Sequence, residues 1–211
     1  MTMHEELKER LVKVGNDYSG KEFWDIVNHI KEHRIKDDVL LEQLSGIRQK
    51  RFEEKYNFSF NVHIGNFLWL FMTVAAIVLV IWMNTDIIFY AGALVLMTTL
   101  HPLSHYVTGR LLGIGFTHYY LNGPAKVEPT LKIDYSSYLK ASGSKRAVMH
   151  VSGVIGTVLA PLVVAVIAMS MNAGEVAFNL VIFFLLLVVF ELLTSMKTGD
   201  LMRAKREYGY R

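Results

Sequence analysis

Two long apolar blocks fix most of what this chain can become. The first runs from Asn66 to about Thr108 and is broken only by Met83-Asn84-Thr85-Asp86; the second runs from about Ala147 to Met196 and is broken only at residues 171–175, MNAGE. Each half-block holds about 20 residues, which is what an α-helix needs to cross a hydrocarbon layer of roughly 30 Å. The pattern predicts four spans, at about 66–84, 86–108, 147–171 and 175–196. A bilayer leaves no water to satisfy exposed backbone groups, so the expected class is an all-α polytopic membrane protein.

The 52% of hydrophobic residues coexist with 22 Lys/Arg and 19 Asp/Glu, so apolar and charged segments must be segregated along the chain. A net charge of +3 is too small to argue for nucleic acid as a partner. Topology accounts for the basic residues better. Neither interrupting turn holds Lys or Arg, whereas the connection between the second and third spans holds Arg110, Lys126, Lys132, Lys140, Lys145 and Arg146. After the fourth span come Lys197, Arg203, Lys205, Arg206 and Arg211, residues 206–211 reading as a basic tail. The positive-inside rule then places both termini and the central connection in the cytoplasm, in a multi-pass protein of the cell membrane whose first partner is the lipid bilayer. The opening MTMHEELKERL has no apolar stretch, so insertion is expected to rely on the internal spans.

Residues 1–57 have a different character, with 11 Lys/Arg against 12 Asp/Glu and apolar residues at helical spacing: Leu7, Leu11, Val14; Phe23, Ile26, Val27, Ile30; Leu40, Leu41, Leu44, Ile47. Three amphipathic helices are expected. Ser19 to Glu22 has the form of a capping box for the second, and Asp37 or Asp38 suits the start of the third. The region reads as a small cytosolic helical module or stalk, with a partner-binding helix-turn-helix as the alternative. The connection at 113–140 alternates polar and aromatic residues around Asn122-Gly123-Pro124 and predicts a β-hairpin at the membrane surface.

The chemistry-bearing stretch is LHPLSHYVTG, residues 100–109. His101 and His105, spaced i and i+4, lie on one helix face about a turn apart and can converge on one cation. Polar groups at membrane depth are costly and tend to mark function. Cys is absent, so a metal would need carboxylates beside the histidines. The second and fourth spans run in the same direction, which brings Asp200 of MKTGDLMRAKR to the membrane face where the histidines lie. His101, His105 and Asp200 are therefore the candidate metal ligands, with a fourth position left for water or substrate.

In their order, the histidine pair in one span, the hairpin loop after it, the Gly- and Pro-containing VSGVIGTVLAPL at 151–162 and the late aspartate resemble the core of the site-2 proteases, intramembrane zinc metalloproteases. The resemblance covers roughly residues 66–205, within a core reaching from 58 to 205. It implies zinc on His101, His105 and Asp200, a hairpin at about 115–135 that helps present a substrate strand, and a third span whose Gly153 and Gly156 permit close helix approach. Where the family keeps HExxH, this chain has Pro102 in place of the glutamate that deprotonates water and protonates the leaving amine.

Proline cannot take a proton. It also frees the Thr98 carbonyl and is expected to kink the span, with the Thr98 and Thr99 hydroxyls absorbing part of the disruption. Candidate substitutes for the base are Glu191, nine residues before Asp200, Glu128 in the hairpin loop and His150 at the start of the third span. The leading expectation is a site-2-protease-like zinc protein that has lost or altered peptidase activity, a pseudoprotease that binds membrane-protein segments or regulates a partner. The alternative is an active intramembrane metallopeptidase that draws on a displaced base or on the metal's acidification of water. A di-iron desaturase would need more such histidine pairs within spans, and a transporter more intramembrane charge than Glu191.

Overall fold

A computed structural model describes residues 3–122 and 128–210. It contains α1 (Met3–Asn16), α2 (Gly20–Glu32), α3 (Asp38–Lys55), β1 (Ser59–Asn61), α4 (Val62–Met83), α5 (Asp86–Leu111), β2 (Phe116–Asn122), β3 (Glu128–Ile133), α6 (Tyr135–Lys140), α7 (Gly143–Ser170), α8 (Gly174–Thr198) and α9 (Asp200–Tyr208). The helices α4, α5, α7 and α8 are long and apolar enough to cross a membrane, which gives the expected all-α polytopic fold. Large side chains such as Phe67, Ile87, Val166 and Leu193 stay exposed on them. Such a surface suits lipid rather than water.

The turns between paired spans follow from asparagine. Asn84 and Asn172 both take positive φ, at 45° and 62°. Asn tolerates the left-handed conformation that ends a helix, so MNTD and MNAGE each stop a span and reverse the chain. Both turns lie at one end of the bundle, where Val80 and Phe89 share a core with Ala168 and Val176. The other end carries the soluble elements.

Those soluble elements are built jointly by two separated parts of the sequence. Leu7, Leu11, Phe23, Ile26, Leu40 and Leu44 from α1–α3 share a single core with Ile114, Tyr119, Tyr135 and Tyr138 from the connection between α5 and α7. Each buried Phe, Leu or Ile is worth about 1.5–3 kcal/mol relative to exposure, so the shared core ties the N-terminal helices firmly to the connection. Ser19 accepts from the Glu22 amide, and Asp37, not Asp38, accepts from Leu40 N at 3.0 Å. Replacing Asp37 with alanine is expected to cost about 1 kcal/mol through loss of this cap. The check is the thermal unfolding midpoint of the detergent-solubilised protein; an unchanged midpoint would refute it.

The expected hairpin is present, with β2 antiparallel to β3 and Tyr120 opposite Thr130. It is part of a three-stranded sheet in the order β1-β2-β3, because Ser59 to Asn61 pairs back onto β2. The Asn122-Gly123-Pro124 turn falls mostly on residues 123–127, outside the described residues. The connection also forms α6, opened by Asp134 accepting from Ser137 N at 3.2 Å. The tail reading of residues 206–211 is corrected as well. Arg206, Glu207 and Tyr208 belong to α9, and Glu207 is fully buried, because its carboxylate pairs with Lys31 of α2 and Arg146 of α7. Arg211 lies outside the described residues.

Candidate metal centre

α5 and α7 are the most extensively packed pair of helices, and glycines in α7 set how closely they meet. A Cβ at Gly153 would fall 2.1 Å from His105 Nε2, and one at Gly156 would fall 2.4 Å from Ser104 Oγ. Only a residue without a Cβ fits at either position, as the close helix approach expected of SGVIG requires. Ser152 Oγ adds a hydrogen bond to the Ser104 carbonyl at 3.1 Å.

α5 remains helical through the buried Pro102. The neighbouring threonines do not serve the carbonyl that proline frees: Thr98 Oγ1 donates to Leu94 O at 3.1 Å, and Thr99 Oγ1 lies 3.4 Å from Leu96 O. Both hydroxyls reach one turn back, as side chains that point toward the helix N-terminus do.

Asp200 comes to the histidines because α8 ends at Thr198, two residues earlier. Gly199 is extended and breaks the helix, and a Cβ there would collide with Ser195 at 2.5 Å from its Oγ. Ser195 Oγ in turn accepts from Leu201 N at 3.1 Å and closes the start of α9. Asp200 is thus the first residue of a helix, where the unpaired amides favour a negative charge.

The three expected ligands converge. Asp200 Oδ2 lies 3.0 Å from His105 Nε2 and 3.3 Å from His101 Nε2, and one ligand atom of each residue falls within 4.8 Å of the others. The outer nitrogens are both occupied. His105 Nδ1 is 2.8 Å from the Met149 carbonyl, which can only accept, so Nδ1 carries a proton. His101 Nδ1 is 2.9 Å from Thr157 Oγ1, whose own hydrogen is given to Gly153 O at 3.2 Å; here too Nδ1 is the donor. In the neutral tautomers both Nε2 lone pairs then face a carboxylate oxygen, an arrangement that a positive charge among them makes favourable, whether a metal ion or a proton on one ring. Outer hydrogen bonds of this kind are what fix metal-ligating histidines.

The carboxylate is itself oriented. Arg203 donates to Asp200 Oδ1 at 3.2 Å, and His150 Nδ1 stands 3.7 Å from the same oxygen, leaving Oδ2 to face His101 and His105. Burial pushes this carboxyl up, and the rings of His101, His105 and His150, where a proton on them faces it, pull it far below the ordinary carboxylate range. Asp200 is therefore ionised and ready to bind a cation.

A cleft of about 100 Å³ opens beside this group, with Pro102 and Pro129, Thr130 and Leu131 of β3 in its wall. Of the candidate bases His150 and Glu191, His150 lines it, and its Nε2 is engaged with Tyr138 Oη at 3.0 Å. Glu191 is half-buried on α8 but does not line the cleft. The Glu128 backbone pairs opposite Asn122, and its side chain lies outside the description. Reading the sequence missed Thr157, the Met149 carbonyl, Tyr138 and Arg203. Only Arg203 carried a signal, being three residues from Asp200, one turn along a helix. Comparison with models of known families, with curated proteins and with solved structures finds no match for this chain.

Proposed function

We propose that the chain is a site-2-protease-like membrane protein that holds zinc on His101, His105 and Asp200 and has lost ordinary peptidase activity. The reading rests foremost on one observation: both Nδ1 atoms are committed to acceptors, so two Nε2 lone pairs and an oriented carboxylate oxygen face one another. Nitrogen and oxygen donors, three in number with the fourth side open to a cleft, suit zinc. When bound, zinc would supply Lewis-acid polarisation of a carbonyl and acidify water.

The chain's own residues account for the rest of the reading. Pro102 presents no proton acceptor where the related proteases keep a glutamate, Glu191 stands off the cleft, and His150 is held by Tyr138. Among the described side chains of the wall, none is a free carboxylate that could move a proton between water and a leaving amine. β3 is an edge strand of the sheet and borders the cleft, which suits binding an extended segment of another membrane protein by strand addition. The basic residues flanking the spans orient the soluble end, with both termini, toward the cytoplasmic side of the cell membrane.

Metal analysis of the purified protein tests this directly. Close to one zinc per chain is expected, falling to background in His101→Ala, His105→Ala and Asp200→Ala. The wild type should not cleave single-span reporter peptides in proteoliposomes, while Pro102→Glu should gain measurable cleavage. Protein that stays metal-free after dialysis against micromolar zinc would overturn the metal site. Robust cleavage by the wild type would overturn the loss of activity.

A further inference from the structure

A second cavity, of about 310 Å³, lies where α2, α3, the sheet and α9 meet. Its wall carries five cations, Lys31, Arg48, Lys132, Arg203 and Arg206, against a single carboxylate, Glu207. That carboxylate is already taken up by Lys31 and Arg146, and Arg203 is paired with Asp200. Among the described residues, Arg48 and Lys132 have no ion pair with a carboxylate. Lys132 is only 8% exposed, and its ammonium reaches one distant acceptor, the Ile133 carbonyl at 3.4 Å, while lying 5.3 Å from the centre of the Phe52 ring.

A buried ammonium that makes no close ion pair is unfavourable. Burial, together with the charge of Arg48, outweighs the opposing pull of Asp134 and Glu53 and brings the Lys132 amine down to about 8, a shift that a bound anion would reverse. Arg48 supplies the planar fork that recognises phosphate oxygens, and its guanidinium is steadied over Trp24 and Tyr135 at 5.3 and 5.9 Å. The same cavity has the rings of Trp24, Tyr120 and Tyr135 in its wall. Its size lies at the lower end of the range for small-molecule sites.

We propose that this cavity binds a nucleoside monophosphate, with the phosphate between Arg48 and Lys132 and the base against the aromatic wall. An excess of cations calls for a dianion, the aromatic wall calls for a planar ring, and the volume admits one nucleotide rather than two. His150 and Arg203 line both this cavity and the metal cleft, so a bound nucleotide sits against the groups that orient Asp200. The site itself requires no metal.

Calorimetric titration of AMP, GMP and CMP into the full chain in phosphatidylcholine nanodiscs, before and after chelation of metal, tests the proposal. Binding of at least one of them at micromolar to submillimolar concentration is expected in both states, weakened about tenfold or more in Lys132→Met and in Arg48→Gln. Arg48 is half-buried, and Arg48→Gln should leave the unfolding midpoint of the ligand-free protein near that of the wild type, so it carries the test if Lys132→Met misfolds. No binding at about 1 mM, wild-type affinity in both variants, or inorganic phosphate binding as well as the nucleotides would each overturn it. So would a response confined to nanodiscs containing phosphatidic acid, which would assign the cations to a lipid headgroup.

Discussion

An alanine at position 153 is expected to empty the metal centre without removing a ligand. Its Cβ would fall 2.1 Å from His105 Nε2 and 2.5 Å from Cε1, inside any tolerable contact. The imidazole cannot swing aside cheaply, since its Nδ1 is tied at 2.8 Å to the Met149 carbonyl of the same helix α7. Either the ring leaves its position or α7 backs away from α5, and both separate His105 from Asp200. Zinc in the purified Gly153→Ala protein should drop below about a tenth of the wild-type content, with an overpacking cost of about 1–3 kcal/mol. Gly46→Ala on α3, where an added Cβ meets nothing within 4 Å, is the control and should be neutral or slightly stabilising. Wild-type zinc content in Gly153→Ala would refute the account.

The second large effect concerns Glu207, whose carboxylate joins Lys31 Nζ at 2.5 Å and Arg146 Nε at 2.7 Å in a fully buried cluster. Glu207→Ala leaves two buried cations without their partner and should cost about 3–5 kcal/mol. The N-terminal helices would lose an anchor to α9, so limited proteolysis should cut between α3 and α4 in the variant before it cuts the wild type. Burial pushes the Glu207 carboxyl up, but Lys31 and Arg146 outweigh it and hold the group below its usual range. A carboxyl depressed in the folded state stabilises above its unfolded pKa, and that contribution is lost as pH falls through the folded value. Acid destabilisation should accordingly be blunted in Glu207→Gln. Unfolding of Glu207→Ala within about 0.5 kcal/mol of the wild type would contradict the cluster's importance.

What could be read from the residues divides along a physical line. The spans were legible because a bilayer demands about 20 apolar residues in a row, and their observed limits differ by only a few positions. The convergence of His101, His105 and Asp200 was legible because i and i+4 share a helix face and topology brings Asp200 to the same end. The three-residue strand β1 was not, being too short to show a period and defined only by its partner β2. Nor was the joint core of the N-terminal helices and the α5–α7 connection, because amphipathic faces reveal that they are buried without naming what buries them. The Nδ1 partners were equally invisible: a backbone carbonyl at Met149 has no signature in sequence, and Thr157 looks like any hydroxyl in an apolar helix.

The hydrogen-bonding partners of His105 are far apart along the chain, and Asp200 follows it by 95 residues, after the fourth span is complete. Insertion of the spans and completion of the proposed centre therefore depend on different parts of the sequence. A chain ending before Gly199 already has all four apolar spans, yet its imidazoles lack Asp200. A released chain truncated after Thr198 should still insert four spans and retain no zinc on these histidines, and the proposed centre would come into being only when the short helix α9 docks.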